Sequence, residues 1–336
     1  MAKTKEEETE DIMEAKSLRI VFMGTPEFAA TSLRKLVAEG YNVVAVVTTP
    51  DKPAGRGQKL HQSDVKVVAT ELGLPILQPE KLRDEEFLAI LRSYEPDLGV
   101  VIAFRMLPEV VWAMPKLGTF NLHASLLPEY RGAAPINWAI MNGETQTGVT
   151  TFLLNHEIDK GAIIEQTAVD ILPEDNIGTL YDKLMMIGSE LVTKTVDKLA
   201  SGDYTTVEQM HIDENTLKPA PKIFKDDCRI NWNDGVERVH NIVRGLSPYP
   251  AAWTPLYRDG EEYGSIKIFE SHIEKCAMSA SAGTIRTDSK SYIAIACADG
   301  WLYIDDVQLA GKKRLATKDL LLGWRDVASV RCTNVK

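Results

Sequence analysis

Cysteine is scarce in this sequence, and long apolar runs are absent. The four cysteines lie far apart, with no C-x-x-C pair and no histidine at ligand spacing: Cys228, Cys276, Cys297 and Cys332. This pattern argues against a zinc site or a disulfide framework and favours a reducing cytoplasm. No apolar run approaches the ~20 residues of a membrane span, and the Lys/Glu-rich start lacks the apolar core of a signal peptide. We therefore expect a cytoplasmic protein without a metal site or a membrane segment.

Familiar nucleotide-binding and catalytic motifs are also missing. Neither a G-x-S-x-G elbow nor an H-E-x-x-H helix lies near His123. GTPEF, which follows the first apolar run, has Pro26 where the second glycine of G-x-G-x-x-G lets a pyrophosphate approach. The GRG of 55–57 matches no P-loop and predicts a flexible basic loop. A nicotinamide-dependent oxidoreductase is therefore disfavoured, since Asp51 opens that basic loop instead of binding a ribose.

The first half of the chain alternates short β-branched runs with helix-like stretches. Strands are predicted at 18–23, 41–49, 74–78, 97–104 and 118–124. The helix after the first strand should have Thr25 as its N-cap and Pro26 as its first residue. This alternation predicts an α/β fold, a Rossmann-like, mostly parallel sheet with helices on both faces. In such sheets ligands bind at the carboxyl ends of the strands.

The second half has a different pattern. A long amphipathic helix is predicted over 178–202, and from about Ile223 short strands alternate with turns. Their spacing predicts a smaller C-terminal OB-like β-barrel. Four segments are expected: a disordered acidic tail (1–17), a catalytic domain (18–203), a linker (204–222) and a C-terminal barrel domain (223–331).

Three polar residues stand at the ends of predicted strands. Asn121 and His123 are two residues apart, so both side chains should lie on one face of their strand. Asp159 follows a later apolar strand in the pattern I-D-x-G. Each residue also has an ordinary structural interpretation, as a capping Asn, a satisfied His or a turn Asp. Spacing alone leaves the two interpretations about equal.

Longer segments are more specific. RIVFMGTPEF, TTPDKPAGRGQKL, VIAFRMLPE, HASLLPEYRGAAPI, KIFKDDCRINW and LAGKKRLATKDLL together resemble the folate-dependent formyltransferases over nearly the whole chain from Leu18. SLLPxYRGAAPI is the highly specific part of this resemblance. One departure is visible in LLNHEID, where His156 stands near a position at which relatives tend to carry an acidic or small residue. His156 is thus a second candidate imidazole.

The resemblance implies transfer of a formyl group from 10-formyltetrahydrofolate to an amine, without a metal or a covalent intermediate. Asn121 would donate to the oxyanion, His123 would act as general base and acid, and Asp159 would orient His123. The main chain of Arg105, Met106 and Leu107 would bind the pterin ring. The floor of the folate cleft would be formed by the turn Ser125, Leu126, Leu127 and Pro128.

The acceptor expected from the resemblance is initiator methionyl-tRNA, since an RNA substrate explains the separate barrel domain and the basic loop. The formal net charge is −10, yet 18 Lys and Arg face 19 Asp and Glu from Ser201 onward, so the excess acid lies in the first 200 residues. The implied tRNA contacts are Arg56, Lys59, Lys222, Lys225, Lys312, Lys313 and Arg314. A monomer is expected.

Two alternatives remain open at this point. A formyltransferase acting on an amino-sugar nucleotide or another small amine would share the catalytic residues but would be indifferent to RNA. A non-catalytic RNA-binding module would account for the basic residues, but not for the convergence of Asn121, His123 and Asp159.

Overall fold

The chain forms two compact units that interleave along the sequence. The computed structural model describes residues 14–54, 59–209 and 214–333. One unit comprises 1–129, 148–168 and 183–217, and the other comprises 130–147, 169–182 and 218–336. This division differs from contiguous domains, because two internal segments group with the C-terminal part. Of the expected tail, residues 1–13 lie outside the described residues, and Ala15–Ser17 form a 3-10 turn.

A seven-stranded sheet runs through the first unit, and a separate two-stranded hairpin follows its second strand. The nine strands are Ile20–Gly24 (β1), Val43–Val47 (β2), Lys52–Ala54 (β3), Lys59–His61 (β4), Ile76–Leu77 (β5), Leu98–Ile102 (β6), Thr119–His123 (β7), Gln146–Leu153 (β8) and Ile163–Asp170 (β9). The order in the sheet is β5-β2-β1-β6-β7-β8-β9. The pairs from β5 to β7 are parallel, and β8 is antiparallel to β7. The predicted mostly parallel sheet is confirmed.

Helices connect and cover these strands. They are Glu27–Ala38 (α1), Asp64–Glu71 (α2), Glu85–Ser93 (α3), Glu109–Trp112 (α4), Pro135–Met141 (α5) and Ile177–Ser201 (α6). The prediction of Thr25 as N-cap is wrong: Pro26 is the N-cap, with extended φ and ψ and no side-chain cap bond. The long helix predicted over 178–202 is confirmed as α6. No helix in the described part of the chain is long and apolar enough to cross a membrane.

The two faces of the sheet pack against different helices. On one face, Val21 and Val101 pack with Phe87 and Leu91 of α3. On the other face, Thr151 of β8 hydrogen-bonds Thr195 of α6, with 2.9 Å between their hydroxyl oxygens. Both faces are therefore covered, which explains why the central strands are apolar on both sides.

The described parts of the basic segment after β2 form two short strands, whereas residues 55–57, predicted to be a flexible loop, lie outside the described residues. β3 and β4 form an antiparallel hairpin in which Lys52 pairs with His61. At its base, the Asp51 carboxylate accepts from Lys66 Nζ at 2.6 Å and from Gln78 Nε2 at 2.8 Å. These hydrogen bonds, that of Lys66 foremost, lower the pKa of Asp51.

The second unit contains an antiparallel sheet that curls into a barrel. Its strands are Ala252–Arg258 (β10), Glu261–Lys275 (β11), Ile285–Thr287 (β12), Ile293–Ala296 (β13), Gly300–Leu309 (β14) and Leu315–Ala316 (β15). The order is β10-β11-β14-β13-β12, and β15 pairs with β14. Arg331 is bridged both to Tyr257 in β10 and to Thr284 beside β12, so the C-terminal segment joins the two edges. This agrees with the OB-like barrel expected from the turn spacing.

The helix Val236–Leu246 (α7) was not predicted from the sequence, and a short helix, Thr317–Leu321 (α8), follows β15. Val239 and Val243 of α7 are buried against barrel residues such as Ile268 and Leu302. Apolar residues recur three and four positions apart in α7, so helical periodicity was present in the sequence. It was missed because the surrounding runs suit strands.

The segment expected to be a linker, 204–222, is hydrogen-bonded in its described parts. Val207 pairs with Ile163. Further on, Lys218 O accepts from Tyr130 N at 2.8 Å, and Ala220 is bridged to Gly132. Gly132 has φ +127°, and a Cβ there would lie 2.4 Å from Ala220 O, so this position requires glycine.

Candidate active site

β7 places Asn121 and His123 on one face of the sheet, as the two-residue period predicted. Asn121 pairs with Val101, which lies on the α3 side. Leu122 points the other way, toward α6, where a Cβ on Gly188 would come within 2.9 Å of Leu122 Cδ2. Asn121 is half-buried and His123 is 7% exposed. An amide and an imidazole therefore lie side by side on the α3 face.

Asn121 carries a polar atom that the fold leaves unpaired. Its Oδ1 is buried and has no hydrogen-bond partner among the described residues. Its neighbour on β8 is Phe152, which is fully buried and apolar. An unpaired buried acceptor costs about 1–3 kcal/mol. Such a group is typical of a site that a bound molecule completes.

The turn after β7 is held by Thr150, the β8 residue opposite His123. Thr150 Oγ1 donates to Ser125 O at 2.6 Å and accepts from Leu127 N at 3.1 Å. Gln166 Nε2 donates to Leu127 O at 2.8 Å and to Thr150 Oγ1 at 2.9 Å. Ser125 and Leu127 are buried, so their side chains shape the turn. Sequence reasoning missed Thr150 and Gln166, which no motif marks.

Asp159 lies in the turn that joins β8 to β9. Its φ is +55°, a left-handed conformation that Asp tolerates better than most residues. Gly161 is required by close packing, because a Cβ there would lie 1.6 Å from Leu153 O. The turn is closed by a bond of 2.9 Å from Leu153 N to Ala162 O. Asp159 is thus a turn residue with a half-buried side chain, and its interaction with His123 stays a prediction.

The segment after β6 offers main-chain groups rather than a cation. The Arg105 guanidinium donates to Glu80 O at 2.8 Å and also to Pro79 O, which ties this segment to the loop after β5. Burial lowers the pKa of Arg105. The main chain of residues 105–107 makes no hydrogen bond to the main chain of another described residue, and Met106 is 73% exposed. Free amides and carbonyls beside an apolar side chain suit a flat heterocycle.

His156 lies in the loop between β8 and β9, in contact with α4, and its surroundings differ from those of His123. Its side chain is 71% exposed, and its Nε2 is 3.7 Å from Glu109 Oε1. Its ring meets the half-buried Trp112 edge-on, with 5.3 Å between centroids. The surroundings of His156 are therefore those of a surface residue that holds the loop against α4.

The predicted basic residues fall into three groups. Arg56 and the side chain of Lys59 lie outside the described residues. Arg314 is engaged in ion pairs with Asp306 at 2.9 Å and Glu270 at 3.6 Å. The other four are exposed on the second unit: Lys222, Lys225, Lys312 and Lys313.

The barrel surface adds residues that the sequence reasoning missed. Arg229 pairs with Trp253, Trp253 with Lys267, and Lys267 with Gln308. We call these four residues the basic row. Paired residues in neighbouring strands lie on the same face, so the row runs straight across the outside of the barrel. Lys225 Nζ lies 5.6 Å and the Arg229 guanidinium 5.9 Å from the centroid of the Trp253 ring.

Two family models match this chain. Residues 18–196 match "Formyl transferase", and residues 222–325 match "Formyl transferase, C-terminal domain". The chain therefore belongs to the formyl transferases, and its fold is that of this class.

Relatives narrow this class. The chain is 55% identical over 314 residues to the methionyl-tRNA formyltransferase of Bacteroides thetaiotaomicron, covering 93% of this chain and 98% of the relative. It is 50% identical over 306 residues to that of Flavobacterium johnsoniae, covering 91% and 96%. It belongs to the methionyl-tRNA formyltransferase family. A solved N-formyltransferase from Helicobacter canadensis shares the fold at 19% identity and a TM-score of 0.60, with 89% of this chain and 100% of that chain covered.

Proposed function

We propose that this protein transfers the formyl group of 10-formyltetrahydrofolate to the α-amino group of initiator methionyl-tRNA. The observation that carries the proposal is the pair Asn121 and His123 on one face of β7. It occurs in a chain that matches a methionyl-tRNA formyltransferase over 98% of that relative's length. A cytoplasmic monomer fits this role.

The residues of the site can perform the proton and charge movements that the transfer requires. The attacking amine must lose a proton and N10 of the folate must gain one. His123, buried but lying on the face that holds Asn121, is the group we assign to both transfers, because an imidazole can both accept and donate a proton. We assign to Asp159 the role of orienting this imidazole.

Asn121 stabilises the negative charge that develops on the formyl oxygen. Its Nδ2 donates to that oxygen, while its Oδ1, which has no partner among the described residues, accepts from the attacking amine. A donor placed in this way contributes about 2.7–4 kcal/mol to the transition state. One side-chain amide can therefore contact both reacting groups.

The folate co-substrate would bind along two segments. When bound it supplies the activated formyl group. The unpaired main-chain groups of Arg105, Met106 and Leu107 fit the donors and acceptors of a pterin ring. The buried turn 125–128, held by Thr150, provides a rigid floor, and Leu126 and Pro128 are its half-buried members.

The tRNA would bind to the outside of the barrel. The surface consists of the basic row together with Lys222, Lys225, Lys312 and Lys313, so it holds cations beside an aromatic ring. Cations bind the phosphates of a nucleic acid and aromatic rings stack on its bases. Gln308 Nε2 donates to Lys312 O at 2.8 Å, which places the turn of Lys312 and Lys313 at the end of the row. Arg56 and Lys59 are proposed to contact the acceptor end.

A transfer assay tests this function. The wild-type protein is incubated with 10-formyltetrahydrofolate and, in parallel, with methionyl-tRNA, uncharged tRNA and an amino-sugar nucleotide. We expect formylation of the charged tRNA alone. His123→Ala should abolish it, whereas His156→Ala should retain it, because His156 is an exposed residue of the loop between β8 and β9. Modification of the sugar, or full activity of His123→Ala, would overturn the assignment.

A further inference from the structure

The chain beyond α6 returns to the candidate active site. Val207 and Ile163 exchange two main-chain hydrogen bonds, from Ile163 N to Val207 O at 2.8 Å and from Val207 N to Ile163 O at 2.9 Å. Val207 itself is 65% exposed, so the bridge buries little apolar surface at this residue. Its effect is to place the next two residues alongside the turn that precedes β9. Gln209, two residues after Val207, therefore lies beside this turn.

The side-chain amide of Gln209 donates two hydrogen bonds to the turn that contains Asp159. Nε2 donates to Asp159 O at 3.1 Å and to Gly161 O at 2.8 Å. Only 6% of Gln209 is exposed, so these bonds are shielded from water. An amide nitrogen has two hydrogens, and here they bind the carbonyls on either side of Lys160.

These two bonds hold a backbone conformation that the turn does not favour by itself. Asp159 is left-handed with φ +55°, and a non-glycine residue in that region persists only where its surroundings fix it. Gly161 is pressed against Leu153 O and anchors one side of the turn. Gln209 anchors the other side, and it fixes the peptide planes that follow Asp159 and Gly161. The direction of the Asp159 side chain depends on the first of these planes.

We propose that Gln209 is a positioning residue of the transfer reaction, which aims the Asp159 carboxylate by holding the carbonyls of residues 159 and 161. The inference rests on the proposed function of Asp159 and His123. It assigns a role in the reaction to a segment that composition alone marks as a linker. Gln209 contacts no reacting atom and acts only through the Asp159 turn.

Two substitutions separate positioning from general stability. Gln209→Ala removes both hydrogen bonds. Gln209→Glu keeps the shape, but its carboxylate faces two carbonyl oxygens without a donor, and only the protonated form regains one. For both variants at pH 8 we expect kcat to fall roughly 10- to 100-fold, the scale of a small misplacement at a reacting centre, with the KM for charged tRNA within about twofold of wild type. For Gln209→Glu the ratio of its kcat to that of wild type should rise as the pH is lowered.

The control is Gln146→Ala on the exposed start of β8, where Gln146 Nε2 donates only to Asp170 Oδ1 at 3.2 Å. It should leave kcat unchanged. The folded fraction of each variant is measured by circular dichroism, since a purely structural role would lower activity only in proportion to it and at a constant ratio across pH. Wild-type kcat in both Gln209 variants, or a pH-independent ratio for Gln209→Glu, would refute the proposal.

A readout without substrates keeps this inference distinct from the proposed function. Amide hydrogen exchange in residues 154–162, followed by mass spectrometry, should be about 10-fold faster in Gln209→Ala than in wild type or Gln146→Ala, because a turn that loses its anchors opens locally. Unchanged exchange in Gln209→Ala would refute the proposal that Gln209 holds the turn, even if the wild type forms formyl-methionyl-tRNA. If exchange is faster in Gln209→Ala but the wild type transfers no formyl group, the proposed function is overturned and the role of Gln209 in holding the turn is not.

Discussion

Asn121 of β7 carries a buried acceptor, Oδ1, and a donor, Nδ2, which we propose binds the formyl oxygen. Asn121 Oδ1 has no hydrogen-bond partner in the part of the chain that the structure describes, although most buried polar atoms in proteins find a partner. The unpaired atom costs stability in the free protein. The same atom becomes useful when a substrate amine occupies the site, so activity and stability oppose each other at this position.

This opposition makes a prediction for Asn121→Ala. We expect kcat to fall about 10²- to 10³-fold, because the donor to the developing oxyanion is lost. The melting temperature should stay equal to that of wild type or rise, since no protein hydrogen bond of Oδ1 is broken. Steady-state kinetics and a thermal melt measure both effects. Asn142→Ala, which removes an exposed amide at the end of α5, serves as the control and should keep full activity.

Helix α7 is the element that fills the barrel of the second unit. Its apolar side is buried, and on another side His240 Nδ1 lies 2.9 Å from Ser271 Oγ of β11. Burial lowers the pKa of His240 to about 4, and the charges of Arg244 and His272 act in the same direction, against Asp305 and Glu237. The imidazole is therefore neutral in the folded protein at neutral pH.

An acid-dependent loss of stability follows from this lowered pKa. The unfolded chain binds the proton near pH 6.5, before the folded chain does, so the contribution of His240 is fully present above pH 6.5 and is lost as the pH falls toward 4. We expect the free energy of unfolding of the wild type to drop by about 1–2 kcal/mol more than that of His240→Asn between pH 6.5 and 4.5. Urea denaturation at the two pH values measures the difference. Parallel curves for the two proteins would show that His240 titrates normally.

The charge of the whole molecule is divided unevenly, because nearly all of the excess acid lies in the first 200 residues. The formal net charge is −10, which opposes indiscriminate binding of polyanions. Arg229 and Lys267 nevertheless flank Trp253 in consecutive register on the barrel. An acidic protein with a localised basic row should bind RNA in one orientation rather than many.

Salt dependence tests the basic row. Lys267→Ala should weaken the binding of tRNA and reduce the slope of log K against log salt concentration by about 1, as expected for the loss of one phosphate contact. The double variant Arg229→Ala/Lys267→Ala should reduce it by about 2. Lys290→Ala removes an equal, exposed charge between β12 and β13 and should leave the slope unchanged. Equal slopes for all four proteins would exclude the row from the RNA interface.

Several elements were predictable from the sequence because their signals are local. Val- and Ile-rich runs located β1, β2 and β6, since strands buried on both faces must be apolar throughout. The β3–β4 hairpin was missed because its strands are three residues long, contain Pro53 and lack the apolar runs that mark the other strands. Thr25 failed as a cap because Pro26 takes the extended conformation at the N-cap itself.

The sequence by itself determined the fold class through apolar periodicity and the family through the motifs that resemble it, and it indicated Asn121, His123 and Asp159 as candidates, because these signals lie in neighbouring residues. Only the tertiary structure decided which groups support them. Thr150 and Gln209 act from β8 and from the segment after α6, at separations no motif records. The basic row exists only through strand register, which joins Arg229 to Lys267 across Trp253. Contacts between residues distant in sequence depend on how the chain closes on itself, so spacing along the chain cannot contain them.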